Sequence, residues 1–401
     1  MTSSAQPDLS SGSPGSDATT VADVLARALV DAGLAVATNV PGHGGSQVFA
    51  ALSRLMPRET PISFHEEVAF GLAHGAALTG GRAACLVKTH GLLKAANAVV
   101  DALASGTTAG LLTLVFNDPT GTHSDGILDP ETVLKGLRLP YERADLGDLR
   151  GQVLASFERS EATGLPQALI VDARTIGQAA AERDRAIAPC AARYARDVAR
   201  HVVCPLFAGY QAEILEARLA NRDPDAIARP DVTTAALPPA MLEAMAAYAP
   251  FFEAFAGVRE GALVAGDTGV SSLFALEPHR AVDVVGYMGG SVPLATGALL
   301  AGRRAWALSG DFSFIAAGRL GLEEAEQRRL PLKVAIIDNG RALATGGQAV
   351  PAGLLEQVLA GHRERVELVG PEAGPAAIAE ALARAEAAEG MRIVVVTLPA
   401  R

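Results

Sequence analysis

Three cysteines in 401 residues, Cys85, Cys190 and Cys204, stand too far apart for a zinc or iron–sulfur spacing. That excludes a cysteine-held metal cluster. No run of Lys and Arg is long enough to track a phosphate backbone, and 34 basic against 44 acidic residues leave a net charge of −10. Duplex nucleic acid and an anionic membrane surface are therefore excluded as main partners. The first twenty residues are rich in Ser, Gly and Pro, hold no apolar segment, and read as a flexible tail rather than a secretory signal. The longest uncharged stretch, 284–302, is interrupted by Gly286, Gly289, Gly290, Pro293 and Gly297. A strand, a glycine turn and a buried helix fit it better than a membrane span. These absences predict a soluble, cytoplasmic protein.

What the chain does have is apolar bulk. Hydrophobic residues make up 49%, with much Ala, Gly and Val, at a length that suits two domains of about 150–180 residues each. From 21 to about 173, amphipathic helices alternate with short apolar strands. Helix 21–32 leads to a strand at 35–40, 46–55 to 62–64, 66–79 to 83–87, 91–104 to 111–116, and 147–161 to 168–171. This alternation predicts βαβ units and a parallel sheet covered on both faces. Between 177 and 238 the pattern degrades into a stretch rich in Ala, Arg and Asp, read as a linker with helical pieces. The rhythm then resumes with helix 239–255 and strands at 262–265, 282–285, 305–308, 334–337, 366–369 and 393–398, with helices at 291–301 and 316–328. The expected architecture is α/β: two doubly wound parallel-sheet domains, 21–176 and 239–401, in which ligands favour the carboxyl ends of strands.

Two polar clusters fall at such ends. The strand at 305–308 runs into Ser309-Gly310-Asp311-Phe312-Ser313, and the next ends in Asp338-Asn339-Gly340. A carboxylate and an amide oxygen there can hold a hard divalent ion, with room for water and phosphate oxygens. A helix start beside them offers free N–H groups to a diphosphate. Either cluster alone is more commonly a helix-capping loop.

Their pairing is more specific. Gly310-Asp311-Phe312, a spacer of 26 residues and Asn339 resemble the thiamin-diphosphate motif, with Phe312 in place of its second glycine. The resemblance implies a thiamin-diphosphate-binding fold in which Asp311, Asn339 and the backbone carbonyl of Arg341 bind Mg²⁺, with Gly310, Phe312 and Ser313 beside the diphosphate. The segment Gly286–Gly297 resembles the MG-xxxP-A-x-G segment of acetolactate-synthase-like enzymes. By that likeness Met288, followed by Gly289, is the apolar wedge that bends the cofactor. Gly266-Asp267-Thr268-Gly269 resembles the family's first phosphate-side loop, which implies cofactor contacts from Gly266, Thr268 and Gly269.

In the first half, Glu66 with Ala69 aligns with the family's NE-xx-A pattern, which implies the glutamate that hydrogen-bonds the aminopyrimidine ring and relays its proton. Glu67 is the alternative. Asn39-Val40-Pro41-Gly42-His43-Gly44-Gly45 resembles the loop after the family's first strand, implying a cofactor contact from Pro41. The segment Thr89–Asn97 resembles NSGLGNAVN of phosphonopyruvate and sulfopyruvate decarboxylases, with His90, Leu93 and Lys94 substituted. His43, His90 and His123 are the candidates for proton transfer or carboxylate recognition, and Lys94 and Arg341 for a second anionic group on the substrate.

The resemblance implies a Mg²⁺- and thiamin-diphosphate-dependent, non-oxidative decarboxylase of a short polar 2-oxo acid, yielding an aldehyde and CO₂. The larger relatives carry a third domain between these two, for which 177–238 leaves no room. Segments around Gly266–Gly269, Asn117–Ser124 and Asp338–Gln348 are also similar to indolepyruvate ferredoxin oxidoreductase, whose clusters need cysteines this sequence lacks. A carboligase, an oxidoreductase subunit with a cluster-bearing partner, and a non-catalytic module of the same fold are the alternatives. The family places its cofactor between the first domain of one subunit and the second of another, which implies a homodimer or homotetramer.

Overall fold

A computed structural model describes residues 19–57, 60–181, 183 and 185–399. The expected tail at 1–20 lies almost wholly outside the described residues. Thr20 opens the first helix, Val21–Asp31, through a capping box with Asp23: Asp23 N donates to Thr20 Oγ1 at 3.2 Å and Thr20 N to Asp23 Oδ2 at 3.1 Å.

Two parallel sheets follow. The first holds β1 (Val36–Asn39), β2 (Ala83–Lys88), β3 (Leu111–Asn117), β4 (Tyr141–Arg143) and β5 (Gln167–Asp172) in the order β1-β2-β3-β5-β4. The second holds β6 (Leu263–Asp267), β7 (Val284–Gly286), β8 (Ala305–Gly310) and β9 (Lys333–Asp338). After the short antiparallel pair β10 (Arg341–Ala342) and β11 (Gln348–Ala349), β12 (Val366–Val369) and β13 (Arg392–Thr397) complete it in the order β12-β13-β9-β8-β6-β7. Every residue of β3 is buried, as a parallel strand covered on both faces requires. The two doubly wound α/β domains expected from the sequence are therefore present. Phe251, Phe252, Phe255 and Phe274 pack with Trp306, whose indole N–H donates to Glu386 Oε2 at 2.7 Å from inside β8. No helix among the described residues is long and apolar enough to cross a membrane.

The elements depart from the expected ones in several places, among them the helix expected at 91–104, which is two helices, Thr89–Lys94 and Ala96–Ser105. Residues 62–64 form no strand. Their alternation is inverted, with Ile62 and Phe64 exposed and Ser63 buried. One bond, Ser63 N to Asn39 O at 2.8 Å, ties the segment to β1. Its other backbone groups serve the second domain: Gln327 Nε2 donates to Ile62 O at 2.8 Å, Arg328 to Pro61 O at 3.1 Å, and Phe64 N to Glu324 Oε1 at 3.2 Å. The helix expected at 316–328 begins earlier, at Asp311, and breaks at a 3₁₀ turn, Gly318–Gly321, before resuming at Leu322–Gln327. The helix Pro130–Leu137, capped by Asp129, and the edge strand β4 were not anticipated.

The domains touch through helices Glu66–Leu78 and Ser291–Leu300. A Cβ on Gly297 would overlap the carbonyl of Leu72, and one on Gly75 the carbonyl of Leu294. Both neighbours are backbone and have nowhere to go. Gly297→Ala is therefore expected to cost about 1–3 kcal/mol or more, seen as a lower urea midpoint at unchanged slope. The segment between the domains straps them together. Val203 N donates to Val285 O at 3.1 Å, and Arg200 and Arg218 donate to Thr107 O and Gly164 O at 2.9 and 3.3 Å. Two buried histidines lie here, His74 on the first-domain helix Glu66–Leu78 and His201 on the strap itself. His74 Nε2 sits 3.0 Å from Gly106 O and His201 Nδ1 3.2 Å from Ser105 O.

Candidate active site

In the second sheet β6 is followed by β7 on one side and β8 on the other, so the chain reverses its winding between β6 and β8. A crevice at that point is where doubly wound sheets bind ligands. A cavity opens there, lined by Thr268, Gly269, Met288, Gly310, Asp311, Phe312, Ser313, Asn339 and Arg341 among others. The structure thus gathers most of the second-domain residues singled out in the sequence. Gly266 and Gly289 do not line it. Gly266 is packed against Val282 and Val285, and Gly289, at φ +80°, lets the backbone of Ala317 and Gly318 approach.

Asp311 is buried, and its Oδ2 has no hydrogen-bond partner. Burial pushes its carboxyl up to about 6, and the Asp338 carboxylate adds to the rise, against backbone N–H groups of Phe312 and Gly340 that oppose it. Asn339 follows β9. Its Oδ1 accepts from Arg341 N at 2.8 Å, and its Nδ2 donates to the hydroxyl of Tyr248 on helix Pro239–Ala256. Gly340, at φ +67°, turns the chain into the β10–β11 hairpin that carries Arg341. Met288 and Phe312 stand exposed at the cavity mouth, 37% and 42%, an apolar rim over a polar floor.

Asp267, to which the phosphate-side motif gave no role of its own, supports the site from below. It is 1% exposed and accepts from Ser291 N at 2.8 Å and from the Ser309 hydroxyl. It therefore ties the ends of β6 and β8 to helix Ser291–Leu300. An acid closing an apolar strand was the available signal.

The donor set fits a hard divalent ion. The orphaned Asp311 oxygen, the Asn339 amide and the Arg341 carbonyl are all oxygen ligands. No group of three or more His, Cys, Asp or Glu among the described residues has metal-holding geometry. Three such donors would leave coordination positions for water or for the oxygens of an anion.

None of the residues lining this cavity comes from the first domain. There, Glu66 opens its helix beside Gly91, where a Cβ would sit 3.0 Å from Oε1, so glycine makes the room. Lys94 Nζ lies 3.0 Å from Glu66 Oε2 as an ion pair, yet that oxygen receives no directed hydrogen bond. Glu67 turns elsewhere. Burial raises its carboxyl, Asn97 opposes the rise, and its carbonyl accepts from Tyr287 Oη at 3.0 Å.

The three candidate histidines gather at the carboxyl ends of β1, β2 and β3. His43 and His123 stack at 3.8 Å, and Lys88 donates to the His123 carbonyl. Asp118 accepts from His123 N at 2.6 Å and Ser124 Oγ at 3.0 Å, shaping the loop. Partial burial and the neighbouring His123 hold His43 below the usual imidazole value. His90 is exposed and shares a small cleft with Lys88, Asp118 and Ser124, and Pro41 is exposed on the β1 loop.

Known proteins are similar to this chain in sequence and fold. The N-terminal TPP-binding domain of thiamine pyrophosphate enzymes matches residues 19–136 and the C-terminal TPP-binding domain residues 266–396. Among solved structures, the thiamine diphosphate-dependent 4-hydroxybenzoylformate decarboxylase of Rhodococcus jostii RHA1 is similar at a TM-score of 0.65 and 15% identity, over 95% of this chain and 99% of that one. Benzoylformate decarboxylase from Polynucleobacter necessarius follows at a TM-score of 0.64 and 12% identity, over 94% and 98%. At these identities the likeness concerns the fold. Indolepyruvate oxidoreductase subunit IorA of Methanothermobacter thermautotrophicus is 29% identical over 148 residues, 36% of this chain and 24% of that protein. That of Archaeoglobus fulgidus is 29% identical over 155 residues, 37% and 25%. The chain thus spans about a quarter of the length of these curated relatives. The two domain models together cover more than half of the sequence, one on each parallel sheet, and the chain belongs to the thiamine pyrophosphate enzymes.

Proposed function

We propose that the chain is a Mg²⁺-dependent, non-oxidative decarboxylase of a short polar 2-oxo acid, releasing CO₂ and an aldehyde. The observation that carries the metal half of this reading is the orphaned, buried Asp311 oxygen at the switch point, facing a cavity shared with Asn339 and Arg341. Bound thiamin diphosphate supplies a nucleophilic carbon and an electron sink. Asp311, Asn339 and the Arg341 carbonyl would hold its metal, and Thr268, Gly269, Gly310 and Ser313, which line the cavity, would adjoin its diphosphate. Met288, at the mouth, is the apolar support for its rings. Glu66 holds and moves the proton on the aminopyrimidine, and its carboxylate is better disposed for this than that of Glu67, which is turned toward Asn97. His43, His90 and His123 bind the substrate carboxylate or deliver the final proton.

The cavity of about 130 Å³ falls below the ~300–1,000 Å³ of sites that enclose a whole ligand. Glu66 and the histidines lie outside its lining. Both facts support a site completed by a second copy of the chain, with a homodimer as the smallest active unit.

The test is incubation with thiamin diphosphate, Mg²⁺ and a panel of 2-oxo acids, following CO₂ and aldehyde by mass spectrometry. Asp311→Asn is expected to weaken Mg²⁺-dependent cofactor binding by at least the roughly 10–100-fold that follows loss of even an outer-sphere partner. Calorimetric titration measures this, and unchanged binding would refute the metal assignment. The IorA likeness favours a second reading, a 2-oxo acid oxidoreductase subunit. Dye reduction that needs a cysteine-rich partner, with no aldehyde released, would select it.

A further inference from the structure

We propose that Tyr248 is a positioning residue that holds the Asn339 amide with its oxygen end toward the metal. The inference rests on the metal reading given above.

The two ends of a carboxamide are nearly the same size, but only the oxygen ligates a hard cation. The Arg341 N–H can be satisfied only by an acceptor, so it distinguishes the ends, and Oδ1 lies 2.8 Å from it. One contact leaves the amide plane free to pivot. The second point comes from Tyr248, whose hydroxyl accepts from Nδ2. Tyr248 is a rigid anchor. It is 5% exposed, belongs to the apolar cluster of the second domain, and stands 6.5 Å from the ring of Phe274. The loop that bears Asn339 is less constrained. It enters a left-handed Gly340 and a two-residue ladder, with Leu343 exposed at its tip. The helix Pro239–Ala256 thus fixes from outside what the metal loop does not fix alone. Partners of this kind are where metal sites are tuned.

The experiment titrates thiamin diphosphate into metal-free protein at stepped Mg²⁺ concentrations, by calorimetry, and records the melting temperature of each protein without cofactor. Tyr248→Phe keeps the ring and its packing. The half-saturating Mg²⁺ concentration is expected to rise about tenfold, with full cofactor binding restored at excess Mg²⁺ and the melting temperature unchanged. Asn339→Asp presents oxygen at both ends, so the double variant Y248F/N339D is expected to return toward the original requirement. An unchanged Mg²⁺ requirement in Y248F, while Asp311→Asn weakens Mg²⁺-dependent cofactor binding, would overturn the role of Tyr248 alone. A loss that excess Mg²⁺ does not rescue, together with a lower melting temperature, would also overturn it and assign Tyr248 to packing. Cofactor binding indifferent to both Mg²⁺ and Asp311→Asn would remove the metal reading and this inference together.

Discussion

Glu66→Gln is expected to lower turnover by at least about 100-fold, within the 10²–10⁴ range of a positioned acid–base group. Cofactor affinity should stay within a few-fold of the parent. The amide has the shape of the carboxylate and still fits beside Gly91, where Oε1 of the parent side chain lies 3.0 Å from the position a Cβ would occupy. It loses the ion pair with Lys94, which is half exposed and contributes little. What it cannot do is take and return a proton. The decisive measurement pairs single-turnover CO₂ release with calorimetric binding of thiamin diphosphate. A variant with full turnover would remove Glu66 from the mechanism, and the same substitution at Glu67 would then be the next to make.

The second large effect concerns stability in acid. Burial pushes His74 down to about 4, and burial together with the nearby Arg200 pushes His201 down to about 3. Both values lie below the ~6.5 of an unfolded histidine. Above that value folded and unfolded chains alike hold neutral imidazoles, and this contribution to stability is fully present. As pH falls from about 6.5 toward 4, the unfolded chain takes up protons that the folded one refuses, so stability is lost. Each tenfold difference in proton affinity between the two states is worth about 1.4 kcal/mol. The two histidines together therefore withdraw several kcal/mol by pH 4, a large share of the roughly 5–15 kcal/mol typical of a domain. Urea unfolding between pH 7.5 and 4.5 should show a falling midpoint. His201→Gln should flatten the slope. A midpoint constant down to pH 5 would contradict the assignment. The loss should begin where the strap meets the first domain, because both histidines bond to its backbone at Ser105 and Gly106.

The parts of this molecule legible in the sequence share one property. They are local and lie where a parallel sheet must place them. Asp311 and Asn339 follow apolar strands directly, and strand ends at a winding reversal are where ligands go. Two parallel, doubly wound sheets could be anticipated because helix and strand periods alternate so regularly. What stayed hidden depends on distant partners. Tyr248 meets Asn339 across 91 positions, and nothing in a stretch of Ala, Met and Phe marks one tyrosine as different. Asp267 sat in plain view within a phosphate-loop motif, but its work as a strut needs Ser291 and Ser309 beside it. Residues 62–64 misled for a clearer reason. Two apolar side chains flanking a serine read as a half-buried strand, yet here the serine faces in and the second domain supplies the backbone partners that a sheet would have given.

The chain has one tryptophan, and its place in β8 sets what a fluorimeter can see. Trp306 is fully buried, and its N–H is spent on Glu386. Its emission should be blue-shifted in the native protein and move to the red as the second domain opens. The first domain carries no such fluorophore, so its melting is silent in this channel. Fluorescence and circular dichroism together should therefore resolve whether the halves unfold as one. Coincident transitions would mean that the glycine crossing of helices Glu66–Leu78 and Ser291–Leu300 makes them a single cooperative unit.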